Sequence, residues 1–492
     1  MTTEVQARTE LGTKPIGGIL VPIVLAGIGS IAAVALLLSY LWVVGAIGVA
    51  ALGFLLFRSP RLYVYLYLVI ALLPISFLQY LDQFRLLGGA EETVNLVGSS
   101  ANLVGLGWVL NVVLFGIYTY WKRENWWRIR FYRPFLVLIA ISLPTIFFTT
   151  NPMLGLRNWI HLVSAICLSL LLFSTITNRA QAMQAIRHIF LIFSVVLAIG
   201  FFQLLTGAGS YDVAADTYRL SGIYGEGEEV DSASLLLYLA CLATPMVLER
   251  KLKSSALTIV ICASSVILLL ASQSRAPLLA FLAAALVLIS KSKAKLKYAL
   301  VFLLAVLAAQ FSPRVYSRFG GPLLAAPSNF WKDQDISVNA TQRMATWVML
   351  SQELVDLRTL VVGRGLGFVD NYLLNVLEDP ANLFARVVHN DYLRFLLDLG
   401  LTGVILFIGQ LILLYRVGSK LFHEARDSLA RSLAISLCAL VTGFAIVAAT
   451  INMYTTAQYA VFWILTGLLL ATTKWAPLGE PAARVGAGAN AI

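Results

Sequence analysis

Stretches of apolar residues long enough to cross a lipid bilayer recur from Ile16 to Ala471, and no other property of the chain constrains its fold so tightly. At about 1.5 Å of rise per residue, a helix needs roughly 20 such residues to cross ~30 Å of hydrocarbon. Inside lipid every backbone N–H and C=O must be paired within its own segment, so the stretches read as helices rather than open strands. Composition agrees: 59% of the 492 residues are apolar, 12% are charged, and mean hydropathy is +0.83. The sequence describes an all-α polytopic membrane protein.

Spans are expected near 17–41, 61–79, 101–121, 134–150, 158–176 and 189–206, the opening stretch crossing twice with a turn at Ser39-Tyr40. Seven more follow near 234–248, 255–273, 276–290, 298–311, 391–415, 432–450 and 454–472, for about 14 in all. This divides the chain into a cytoplasmic tail (1–15), an N-terminal bundle (16–311), a large outer loop with short helices (312–390), C-terminal spans (391–472) and a disordered cytoplasmic tail (473–492). The first apolar run lacks a small-residue cleavage site, so no cleaved signal peptide is expected. Cytoplasmic loops should carry the excess of Lys and Arg. On this alternation 24 of the 36 basic residues fall inside, in clusters such as 122–133, 291–297 and 416–431. The net charge of +11 is thereby a property of membrane topology, and nucleic-acid binding is excluded as its explanation.

The twelve basic residues left outside are eleven arginines and Lys332. A guanidinium fork matches the paired oxygens of a phosphate, whereas lysine offers a mobile point charge. The alternative is that topology removes lysine and tolerates arginine. Arg275 sits in a turn of a few residues between two apolar spans, where a charge is costly unless it has a partner or snorkels to the headgroups. Arg343 heads an amphipathic stretch, 339–357, on which Met344, Trp347, Val348 and Leu354 share a face. The glycines of "VVGRGLG" (361–367) permit a tight turn with exposed amides. The four cysteines, Cys167, Cys241, Cys262 and Cys438, all lie within spans and read as small buried hydrophobes.

Of the four histidines, His188 and His423 fall inside, and His161 reads as a packed residue within a span. His389 closes the outer loop where water meets the next helix, and an accessible imidazole there suits a general base. The alternative is a helix-start histidine that merely solvates the boundary. Asn390 is placed to orient the ring, Asp391 to cap the helix, and Asp398 to pair with Arg394 one turn earlier. Gly400 and Gly403 are placed to let a neighbouring helix approach.

The ordered set "RLSGIYGEGEEVDSASLLLYLACLATP", "SQSRAP", "TQRMATW", "GRGLG" and "HNDYLRFLLDLGLTG" resembles the O-antigen ligase and O-antigen polymerase family over roughly residues 200 to 470. The resemblance implies a glycosyltransferase of the C-type membrane fold (GT-C-like) acting on the periplasmic face of the bacterial inner membrane. It implies a donor glycan on undecaprenyl diphosphate and an acceptor that is either another glycan or lipid A-core. No cofactor and no metal are implied, and other polysaccharide-assembly proteins are candidate partners beside the membrane lipid. Position by position, Arg275 and Arg343 match the family's diphosphate-holding arginines and His389 its essential histidine. Arg219, Glu226, Asn390 and Arg364 are candidate substrate contacts. Extra spans and the acidic loop at 226–231 favour polymerase over ligase. The rival from another class is a flippase or transporter of lipid-linked oligosaccharide, which would want ionisable groups at mid-membrane rather than at span ends.

Overall fold

The computed structural model describes residues 40–72, 108–122, 129–207, 210–212, 217–220, 229–248, 255–272, 274–291, 295–296, 299–300, 346–376, 388–451 and 457–476. The expected span at 298–311, nearly all of it, and the N-terminal tail lie outside them. By chain contacts there are two units, Met1–Tyr63 and Val64–Ile492. Described residues of the first belong chiefly to α1 (Tyr40–Arg58), which begins where the turn at Ser39-Tyr40 was expected.

In the rest of the chain, α2 (Pro60–Leu72) and α3 (108–122) precede α4 (Arg133–Thr145), α5 (Pro152–Thr175) and α6 (Arg179–Thr206). A two-stranded antiparallel hairpin follows, β1 (Ser210–Asp212) with β2 (Thr217–Arg219), a small exception to the all-α expectation. Then come α7 (Glu229–Leu248), α8 (Ala256–Ala271), α9 (Arg275–Lys291), α10 (346–352), α11 (Leu357–Val362) and α12 (Phe368–Val376). The chain closes with α13 (Asp391–Glu424), α14 (Ser428–Ala448), α15 (Ala457–Leu470) and the single turn α16 (Thr472–Trp475).

Among the described residues six helices are long and apolar enough to cross a membrane: Arg130–Phe148, Pro152–Thr175, Arg179–Thr206, Asp231–Leu248, Asp391–Glu424 and Ser428–Ala448. The protein is a multi-pass membrane protein. Its helix ends follow the local chemistry. Asn178 accepts the Gln181 amide at the head of α6, and Asp427 accepts that of Ala430 at the head of α14. Proline stands in the first turn of α4 and of α5, where its missing N–H leaves no bond unmade.

The core lies among α4, α5, α7, α13, α14 and α15, filled by Phe135, Tyr238, Phe395, Phe407, Phe444, Tyr459 and Trp463. Phe444 and Phe462 stack at 3.8 Å. At Gly467 the α15 backbone meets α5 so closely that a Cβ would overlap the Ser169 carbonyl. Small residues that admit such approach hold membrane helices together where no water drives association. Gln410 of α13 donates to the Phe131 carbonyl (2.7 Å) and accepts from the Phe135 amide (3.3 Å), occupying backbone groups that the start of α4 leaves over. Polar contacts also join helix ends: Arg179 pairs with Asp427 (3.3 Å) and Lys291 donates to Ser419 (2.7 Å). The segment expected to be disordered from 473 instead begins ordered, because Lys474 in α16 donates to the Phe173 carbonyl (2.5 Å) at the end of α5.

Candidate functional site

A straight helix of the 34 residues of α13 would run about 51 Å, well beyond one bilayer core. It does not run straight. Gly400 breaks it with φ 67° and ψ −168°, a conformation essentially reserved for glycine. The lead segment 391–399 is thereby separate from the long span 401–424. Ending a helix orphans its last carbonyls. Two of those are taken by the glycine-rich loop: Arg364 N donates to Leu397 O (2.8 Å) and Gly365 N to Asp398 O (2.9 Å). The Asp398 carboxylate returns the favour, accepting Gly367 N (3.1 Å) and Val369 N (3.0 Å) at the head of α12. The Leu366 amide donates to Thr145 Oγ1 (3.3 Å). These amides, expected to be exposed, are therefore consumed inside the structure.

The glycines are required where this loop is threaded. Gly363, Gly365 and Gly367 all have positive φ. A Cβ on Gly365 would overlap the Thr145 carbonyl at the end of α4, and one on Gly363 the Asp398 carbonyl. Gly400 does meet a close neighbour, the Val361 carbonyl of α11, but not the membrane helix that its spacing suggested.

Arg394 and Asp398 are buried, at 1% and 0% exposure, so each charge must be answered nearby. Arg394 is ion-paired with Asp370, which also accepts from Asn158 Nδ2 (2.8 Å). The local pairing of Arg394 with Asp398 is thus corrected to a wider set: Asp370 takes the guanidinium directly, while Asp398 feels its charge and holds the loop amides.

His389 stands two residues before this lead segment, half-buried, with φ 49°. It is the one described non-glycine residue in the left-handed region. That conformation costs roughly 1–2 kcal/mol, and observed strain of this kind clusters at functional sites. Both flanks are held. Trp347 Nε1 of α10 donates to the Val388 carbonyl (2.7 Å), and the Asn390 side chain accepts the Leu393 amide (3.0 Å). Asn390, not Asp391, is the helix cap; Asp391 is buried in the first turn. Val388 joins Leu350, Val369, Leu373 and Leu397 in one apolar cluster, with Trp347 and Leu354 packed against it. Val348, expected on that face, is 56% exposed, and Leu350 is the buried residue.

Arg275 is the first residue of α9 and is exposed. Arg219 ends β2. Arg364 pairs with Glu353 (3.1 Å) and lies over the Phe368 ring, 5.9 Å from its centre. Arg343 and Glu226 lie outside the described residues. His161 is packed as expected, its ring 5.1 Å from that of Trp108. No group of three or more His, Cys, Asp or Glu side chains able to hold a metal occurs among the described residues. Asp370, Asn158 and the bond from Trp347 carried no local signal in the sequence.

Residues 259–408 match the model of the O-antigen ligase family. The match covers the heads of α9 and α13, the glycine-rich loop and His389. None of the curated proteins compared with the chain matches it.

Proposed function

We propose, from the premise that residues 259–408 are an O-antigen ligase family domain in a multi-pass membrane protein, that the chain is a glycan transferase. It moves a glycan whole from undecaprenyl diphosphate to an acceptor sugar hydroxyl on the periplasmic face of the inner membrane. In this reading His389 takes the acceptor's proton as the O–H bond breaks. The oxygen attacks the anomeric carbon, the bond from that carbon to the diphosphate breaks, and the electron pair leaves on the diphosphate. Arg275 and Arg343 stabilise the departing charge. One such displacement inverts the anomeric centre.

The observation that carries the reading is the hold on His389: a strained backbone whose preceding carbonyl is fixed by Trp347. Arg343 precedes Trp347 by four residues in the sequence. Arg275 has separate support. Lys291 bonds Ser419, and 16 residues of α9 rise about 24 Å from there, while 19 residues of α13 rise about 28 Å to Gly400. In this reading the two helices run alongside one another, which brings the head of α9 and the break in α13 to similar depth.

Polymerisation onto another lipid-linked glycan is the favoured outcome. The family model that matches is that of ligases, which supports a second reading, transfer to lipid A-core. Purified protein given undecaprenyl-diphosphate glycan and each acceptor separates them: a ladder of repeats marks a polymerase, a single addition to lipid A-core a ligase. His389→Ala should lower turnover by about 10²–10⁴-fold, the usual contribution of a general base. Wild-type protein that forms neither product, or a mutant as fast as wild type, overturns the reading. EDTA should leave turnover unchanged.

A further inference from the structure

We propose that Asp398 is a positioning residue for His389, setting the orientation of the short helix at whose head the histidine stands. The inference rests on the reading of His389 as the base.

The need for such a device follows from the break at Gly400. A helical segment of nine residues is too short to hold its own shape in water. An unbroken α13 would have given it the rigidity of the membrane span. With the backbone interrupted, 391–399 does not inherit its direction from 401–424. What fixes it is the loop 363–369. Asp398 joins the two through both its backbone and its side chain: its carbonyl accepts Gly365 N, and its carboxylate oxygens accept Gly367 N and Val369 N. Arg394, one turn nearer His389, is tied to Asp370, itself three residues past Gly367 in the first turn of α12. The loop is in turn seated on the α4–α5 connection, where Leu366 N meets Thr145 and Gly367 approaches Gly155. A chain of bonds thus runs from the membrane bundle through α12 to the histidine, bypassing the span that follows it in sequence.

Asp398 is fully buried and about 14 Å along the chain's helical rise from His389, away from the atoms on which the imidazole would act, so its effect is on placement. The test uses full-length protein in nanodiscs. Asp398→Asn keeps the size of the side chain but turns one acceptor into a donor facing a backbone N–H. The expected result is a fall of tenfold or more in kcat with KM for the lipid-linked donor within twofold. Hydrogen exchange should rise over 388–399 and stay unchanged over 428–448. Trp347→Phe, which removes the bond to Val388 and part of the indole's packing on the apolar cluster, is the second variant and should show the same split in weaker form. It decides the question if Asp398→Asn does not fold. Unchanged kcat, or a loss accompanied by raised exchange throughout the bundle, overturns the inference. An inactive wild type sinks the proposed function instead, while the exchange difference still reads the placement.

Discussion

His389 combines two properties that a substitution can separate. Its left-handed backbone is tolerated better by asparagine than by most residues, whereas its imidazole has no substitute as a base near neutral pH. His389→Asn should therefore retain the wild-type melting temperature within a few degrees and still lose about 10²–10⁴ in turnover. Gly400→Ala has the opposite profile. A Cβ there meets the Val361 carbonyl in a conformation that costs of order 1–3 kcal/mol for a side chain, so a lowered melting temperature should appear before any kinetic effect is examined. The sequence displayed the two residues and left their backbones hidden. Spacing suggested that Gly400 admits a neighbouring helix, because small residues at three- and four-residue intervals usually do. Left-handed geometry leaves no such periodic trace.

At the scale of the element, caps and breaks were only partly legible. Asn390, Asp427 and Asn178 follow the ordinary preference for a short polar acceptor before a helix, although the neighbouring Asp391 competed for the role. The pairing of Arg394 with Asp398 obeyed the rule for residues four apart on one helix, but that rule is calibrated on exposed surfaces. Burial changes the outcome, since a buried carboxylate needs several donors, and the loop supplied backbone amides from far along the chain. The short α11 gives a testable contrast on the outside. Its cap, Asp356, accepts the Arg358 amide (3.1 Å) and the Thr359 hydroxyl (3.0 Å), and these donors hold its carboxyl below the usual 3.8. A depressed value in the folded state means support that is present above pH 3.8 and is lost as pH falls through the lower, folded value. Exchange at 357–362, corrected for intrinsic rate, should accelerate on acidification below that point, and Asp356→Asn should abolish the pH dependence.

For the whole molecule, the segments long enough to cross were the most legible feature, because bilayer thickness imposes a length that no local accident imitates. Among the described residues, the start of α1 and the six helices long enough to cross overlap their expected places. What could not be read was which helices meet, as in the approach of α15 to α5 at Gly467, since lipid and protein present nearly the same apolar surface to a leucine. Topology remains open to a direct check. Membrane-impermeant maleimide applied to cells should label introduced cysteines at 343 and 389 and spare one at 420. The native cysteines favour this test, three being buried and Cys262 half-buried. Labelling of 420 alone would reverse the assignment of faces.

The interruption at Gly400 also has a mechanical consequence. Membranes differ in thickness, and a span adapts to a thinner or thicker one chiefly by tilting. Tilt of 401–424 is taken up at a single residue, beyond which the chain is moored to a different part of the protein. On the proposed reading of His389 as the base, its chemistry is thereby insulated from the lipid composition that its own anchor must follow.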